Sequence, residues 1–328
     1  MENLPLVALA GPTAIGKTAV GIALAHRLKG EIISADAVAV YQGLDIGAAK
    51  PTMEEREGIP FHLLDVVRPD EEFTLADFAR LAEESIGAIR ERGHVPILVG
   101  GTGLYIRAVT AVLTMPSVPP QPEIRAKLWD EAEREGAPFL HHRLRDVDPV
   151  AAEKILPGDA KRIIRALEVY RVTGKPMSSF HTPEGVHGVP RTNTHLFGLT
   201  MARQILYQRI EARVDAMMAA GFVDEVRGLV SAGFGPERKA MQSLGYRHLL
   251  SYLRGEIAED IAVSELKRDT RRYAKRQMIW FNADPNIIWY DVIKDVPSLE
   301  HEGINSLAEA IAATLARRLQ QKQKVNNR

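Results

Sequence analysis

Residues Gly11-Pro12-Thr13-Ala14-Ile15-Gly16-Lys17-Thr18 have the spacing G-x-x-x-x-G-K-[ST], a pattern suited to holding phosphate. The glycines let backbone N–H groups turn inward around phosphate oxygens, Lys17 adds a point charge, and the Thr18 hydroxyl can ligate Mg²⁺. A helix that starts here adds the positive end of its dipole. Gly11, Thr13, Ala14, Gly16, Lys17 and Thr18 are therefore the candidate phosphate-binding residues. A chance glycine turn is the competing reading, but an apolar strand precedes the motif and a helical pattern follows it. The loop reads phosphates rather than the group they carry, so a nucleoside triphosphate is the default ligand at this point.

Four further features have types and spacings that suit chemistry. Asp36 follows Glu31-Ile32-Ile33-Ser34, and ligands of open α/β sheets sit beyond the carboxyl ends of strands. It is either a general base facing the phosphate loop or a cap or turn residue. Asp65, at the end of a third strand, is a weaker candidate for holding Mg²⁺ through water. Gly100-Gly101-Thr102-Gly103 follows a fourth strand; its glycines would admit a ligand close to the backbone, with Thr102 either a phosphate donor or a helix N-cap. Arg209 and Arg213 are four apart on one helical stretch and can point the same way. Two guanidiniums there would clamp a diphosphate, and pairing with Glu211 or Asp215 is the alternative.

The elements that must position these residues alternate. Short apolar runs at 6–10, 31–34, 62–66 and 96–99 read as strands, with helical patterns at 17–28 and 75–92 between them, which implies parallel strands with helices on both faces. From 115 to 194 two proline-rich joints, 115–122 and 181–188, enclose helical segments at 123–135, 139–145, 150–155 and 160–173. Strand character returns at 195–200 and 286–291, separated by helical stretches at 203–220, 223–232 and 261–281, and the polar tail from Arg317 is expected to fray. The predicted class is α/β: a parallel sheet in residues 1–114 and 195–328, and a helical insertion in 115–194.

Lys+Arg and Asp+Glu are equal at 42 in 328 residues, so the total charge gives no sign of a polyanionic partner. Its distribution does. Lys267, Arg268, Arg271, Arg272, Lys275 and Arg276 stand against Asp269 alone within about three helical turns, and Lys161, Arg162, Arg165 and Arg171 form a weaker basic run. Basic side chains along a helix suit polynucleotide phosphates; a solvated charged face is the other reading, weakened because acids at i±4 are scarce. Absence of cysteine excludes disulfides, thiolate zinc sites, iron–sulfur clusters and a cysteine nucleophile. The histidines, including His26, His141 and His142, lack zinc spacing and read as surface or packing residues. The first residues have no basic n-region, and Pro5 and Gly11-Pro12 interrupt their apolar stretch, so no signal peptide is expected. No run is long enough to cross a bilayer.

Taken together, GPTAIGKT (11–18), EIISAD (31–36), VYQGLDIGAAKP (40–51), PILVGGTGLYI (96–106), RIIRALEVYRVTGK (162–175), RIEARVD (209–215), SLGYR (243–247) and TRRYAKRQMIWF (270–281) make the chain resemble the tRNA dimethylallyltransferases of bacterial type, from Leu6 to about Tyr290. The resemblance implies a P-loop NTPase-like sheet with an inserted helical domain, Mg²⁺ as cofactor, and dimethylallyl diphosphate in the phosphate loop rather than ATP. It implies Asp36 as the base that takes a proton from an adenine N6 amine. Thr102 would contact diphosphate or acceptor, and Arg213 and Arg209 the diphosphate. Lys161, Arg162, Arg165, Arg271, Arg272, Lys275 and Arg276 would meet the anticodon stem-loop of tRNA, with the insertion closing over it. A cytoplasmic monomer without a membrane partner is expected. The family's Ser and Gln after the aspartate are here Ala37 and Ala39, a family threonine is Ala48, and a Thr and an Arg near the end of the basic helix are Ile279 and Asn282. These departures bear on acceptor recognition. They motivate a second hypothesis, a tRNA-binding protein with weak or lost transfer, beside a third, a kinase-like NTP-dependent enzyme.

Overall fold

The computed structural model describes residues 4–112, 118–180, 189–293 and 301–326. Much of both proline-rich joints, at 115–117 and 181–188, lies outside them. In chain order the elements are Leu6–Ala10 (β1), Lys17–Leu28 (α1), Gly30–Ala35 (β2), Phe61–His62 (β3), Leu75–Glu91 (α2), Val95–Gly100 (β4), Gly103–Thr110 (α3) and Ala111–Val112 (β5). Pro122–Glu135 (α4), Ala137–Val147 (α5), Pro149–Lys154 (α6) and Ala160–Thr173 (α7) follow. Then come Val189–Pro190 (β6), Thr194–Thr200 (β7), Arg203–Ala219 (α8), Phe222–Ser231 (α9), Tyr246–Leu253 (α10), Glu259–Asn282 (α11), Ile288–Asp291 (β8) and His301–Asn326 (α12).

Six strands form one sheet in the order β3-β2-β4-β1-β7-β8, each neighbouring pair parallel. The central strands are buried on both faces, so alternate residues feed different cores. Leu6, Ala8, Ala10, Ile33, Ala35 and Leu98 pack with Phe78, Ile89, Tyr105 and Tyr246. Val7, Leu9, Ile32, Ile97 and Phe197 pack with Leu24 of α1 and Leu307, Ile311 and Leu315 of α12. The sheet with its phosphate loop after β1 is P-loop NTPase-like in architecture. At the amino end of β2, buried Glu31 accepts from Arg92, His62 and His94. Those hydrogen bonds, that of Arg92 foremost, hold its carboxyl down at about 2.

The chain divides into two compact units, Met1–Thr110 with Pro190–Arg328, and Ala111–Val189. The second unit has its own core of Leu128, Leu140, Leu144, Ile163 and Leu167. Its buried Glu168 accepts from Arg125, Arg165 and the Gln121 N–H. His141 is buried against the Ala152 and Ile155 carbonyls, while His26 and His142 are exposed.

Two expectations need correction. The third strand covers only Phe61–His62; Leu63 (φ 61°) and Asp65 (φ 56°) are left-handed and end the ladder before Asp65. The tail does not fray at Arg317, because α12 runs to Asn326 and Leu307, Ile311, Leu315 and Leu319 are packed at helical spacing into the core.

Candidate active site

The carboxyl ends of β1, β2 and β4 open on a cavity of about 290 Å³ within the first unit. Thr13, Lys17, Thr18, Asp36, Thr102 and Arg213 all line it. Sequence-distant candidates therefore meet because parallel strands deliver their following loops to one edge.

At the phosphate loop, Gly11 (φ 155°), Ala14 (φ 64°) and Gly16 (φ 99°) have positive φ, and α1 begins at Lys17. Lys17 Nζ donates to the Pro12 carbonyl at 2.7 Å. Burial, reinforced by the charge of Arg213 and opposed by Asp36, lowers its pKa from 10.5 to about 7. Arg209 Nε donates to the Ala14 carbonyl at 2.9 Å, and Arg209 lines a second cavity with Ala14, Gly16, Lys17, Thr18 and Arg213. Arg213, one turn further along α8, faces the cavity, its pKa lowered chiefly by burial and partly restored by Asp36.

Asp36 combines a turn role with a place at the cavity. Its Oδ1 accepts from Val38 N at 2.8 Å and Ala39 N at 3.3 Å, a turn-capping role, and the residue still lines the cavity. No hydrogen bond to Oδ2 is made among the described residues. Fixing one oxygen to the backbone aims the other. Thr102 closes the arrangement, since its Oγ1 accepts from Ala37 N at 3.1 Å.

The glycines of the 100–103 turn are also required by packing. A Cβ on Gly100 would stand 2.1 Å from the Ala35 carbonyl oxygen, one on Gly101 2.3 Å from Gln277 Nε2, and one on Gly103 2.1 Å from the Trp280 ring. They let β2 and α11 come close, and Gly100 and Gly101 also line the cavity. Asp65 departs from expectation. It pairs with Lys50, which is buried and also bonds Asp45 and the Tyr41 carbonyl, and it does not line the cavity. Magnesium fits what remains. The oxygen set of Thr18 and Asp36 is hard but sparse, and no group of three or more His, Cys, Asp or Glu suited to a metal occurs among the described residues. Such a set suits an ion that keeps waters and binds largely through substrate phosphates.

The basic helix is more neutralised than its sequence suggests. Glu211 pairs Arg271, Asp215 pairs Lys267, and Asp269 pairs Arg247, Arg268 and Arg272. Glu211 and Asp215 stand on α8, outside any i±4 count along α11, whereas Asp269 is on α11 itself. Lys275 and Arg276 are exposed and make no ion pair among the described residues. On α7, Lys161 and Arg162 are exposed, whereas Arg165 is committed to Glu168 and the Val118 carbonyl.

Sequence reasoning missed Tyr273, Gln277 and Glu225. Tyr273 lines the cavity, and burial, with the charge of Asp36 nearby, raises its pKa to about 12. Glu225 accepts from the N–H groups of Asp45, Ile46 and Gly47 and from the Tyr246 hydroxyl. A signal existed for Gln277: with Leu266, Ala274 and Phe281 it falls on the buried stripe of α11, where an amide is out of pattern.

Residues 39–284 match the model of a family described as IPP transferase, and residues 4–70 that of Isopentenyl transferase. Proteins named tRNA dimethylallyltransferase from Syntrophobacter fumaroxidans and Symbiobacterium thermophilum are each 50% identical, over 88% of this chain and 84% and 90% of their own lengths. The crystal structure of the full-length tRNA isopentenylpyrophosphate transferase from Bacillus halodurans aligns with a TM-score of 0.70 at 39% identity, covering 97% of this chain and 99% of that one. A eukaryotic dimethylallyltransferase acting on tRNA aligns with a TM-score of 0.74 at 29% identity, covering 88% of this chain and 74% of that one.

Proposed function

The chain belongs to the IPP transferase family, and from that premise we propose that it is an enzyme that transfers a dimethylallyl group from dimethylallyl diphosphate to the N6 amine of an adenosine adjacent to the anticodon in tRNA. One observation carries the reading: a single cavity holds Asp36, the phosphate-loop residues Lys17 and Thr18, and Arg213 beside an apolar wall that includes Val214, Met217 and Leu266. A phosphate loop alone would suit a kinase equally. A carboxylate and an apolar wall beside it suit an amine acceptor and an isoprenoid donor.

The chemistry follows from where charge develops. As the N6 nitrogen bonds to the allylic C1, the C1–O bond breaks, its electron pair leaves with the diphosphate, and the nitrogen's proton goes to Asp36. Lys17 and Arg213 stand where the leaving diphosphate gains charge, and preorganised cations there lower the barrier. Mg²⁺ held by the phosphate oxygens and the Thr18 hydroxyl would add countercharge. The acceptor base must leave its stack to reach Asp36, as single-stranded anticodon-loop bases readily do. Lys161, Lys275 and Arg276 are exposed cations available for the phosphates of the anticodon stem-loop, and Arg162 is exposed beside its partner Asp159. We place this work in the cytoplasm, by a monomer; among the described residues no helix is long and apolar enough to cross a membrane.

The alanines at 37, 39 and 48 line the same cavity and favour a second reading, tRNA binding with little transfer. Purified protein incubated with Mg²⁺, dimethylallyl diphosphate and unmodified tRNA separates the two. N6-prenyladenosine in the digested tRNA supports transfer, while tRNA binding without that product supports the second reading. Phosphate transfer or hydrolysis from ATP would support a kinase-like enzyme instead.

A further inference from the structure

Helix α11 meets the turn after β4 more closely than a side chain on that turn would permit, since a Cβ on Gly101 would stand 2.3 Å from Gln277 Nε2. In the space so left Gln277 is 6% exposed. Its Oε1 accepts from Thr13 N at 2.9 Å and its Nε2 donates to the Gly101 carbonyl at 2.8 Å. A carboxamide offers an acceptor and a donor on one planar end without having to hold a proton. Thr13 lies in the phosphate loop just before Ala14, whose φ of 64° is a strained conformation for a residue with a Cβ. Such a conformation persists only where its surroundings over-determine it. Here Gln277 holds the N–H on one side of Ala14, and Arg209 holds the Ala14 carbonyl on the other.

We propose that Gln277 is a positioning residue for the phosphate loop: by tying Thr13 N–H to the turn after β4 it keeps the loop amides and Lys17 in their anion-binding arrangement. Gln277 also lines the cavity, but its amide is engaged by Thr13 N and the Gly101 carbonyl, so its effect on the anion passes through the loop backbone. The proposal rests on the transferase reading for the identity of the donor, but not for the anion that tests it.

The probe is inorganic pyrophosphate, titrated calorimetrically with Mg²⁺ into the full chain. Gln277→Met keeps the side-chain length and removes both hydrogen-bonding groups; we expect pyrophosphate to bind about tenfold more weakly. Gly101→Ala reaches the same amide from the other side and should weaken binding in the same direction, yet add little in the Gln277→Met background, as expected for coupled positions. In the transfer assay the donor KM should rise by a similar factor while the tRNA KM stays as in the wild type, a split that general loosening of the fold would not produce. Pyrophosphate affinity unchanged in Gln277→Met, or donor and tRNA KM rising together, would overturn the proposal. If thermal melting shows that Gln277→Met does not fold, Gly101→Ala alone decides by the same criterion. A wild type that binds pyrophosphate but transfers no prenyl group would remove the transferase reading and leave the titration to judge Gln277.

Discussion

Burial, reinforced by the neighbouring charge of Arg213, brings the Lys17 pKa to about 7. Between pH 7 and 10.5 the unfolded chain holds a proton on this lysine that the folded chain has released, so Lys17 makes stability rise with pH across that window. A bound diphosphate restores the charge. Titrating pyrophosphate at pH 8 in two buffers of different ionisation enthalpy should therefore show proton uptake, and equal heats in both buffers would contradict a depressed Lys17. The alanines near Asp36 carry a second expectation. If missing hydrogen bonds to the acceptor limit the rate, Ala37→Ser with Ala39→Gln should raise single-turnover transfer by roughly tenfold, the value of one or two recovered bonds. An unchanged rate would place the limit elsewhere.

Helices α9 and α10 shape the site without entering its chemistry. The Glu225 carboxylate on α9 gathers three consecutive backbone N–H groups and the Tyr246 hydroxyl of α10, while Gly47 has no room for a Cβ against Phe222 and Tyr246. The segment so anchored brings Ala48 and Lys50 to the cavity. Glu225→Ala would leave three donors and a buried tyrosine without their acceptor, so chemical denaturation should show a loss of about 3 kcal/mol. A change of a few tenths would mean that water replaces the carboxylate. Spacing alone gives the outlines of the elements well, with α1 and α7 spanning 17–28 and 160–173 as read from periodicity. It fails for the third strand, where alternating left-handed residues replace the ladder, and for α12, where the polar outer face hides an apolar stripe.

Across the whole molecule, equal numbers of acids and bases conceal an uneven pairing. Of the cations on α11, Lys267, Arg268, Arg271 and Arg272 have acidic partners, leaving Lys275 and Arg276 exposed without them among the described residues. Counterion release scales with the phosphates that cations neutralise. Lys275→Ala with Arg276→Ala should therefore lower the slope of log K against log salt for tRNA by about 2, and Arg271→Ala by much less. Equal slopes for the two variants would show that the pairing with Glu211 opens on binding.

The phosphate loop, the alternation of strands and helices, and the candidacy of Asp36, Thr102 and Arg213 were legible in the chain because each depends on local spacing: a loop before a helix, a carboxylate after a strand, an arginine on a helix face. Tertiary structure alone decided which charges remain available, since the acids that neutralise Lys267 and Arg271 stand on α8, more than fifty residues away in sequence. It also decided why the turn after β4 is made of glycines and that Gln277 joins that turn to the phosphate loop. Contacts of that kind are made between elements far apart in sequence, and their residue types show a need for space or for a hydrogen-bond partner without showing which part of the chain supplies it.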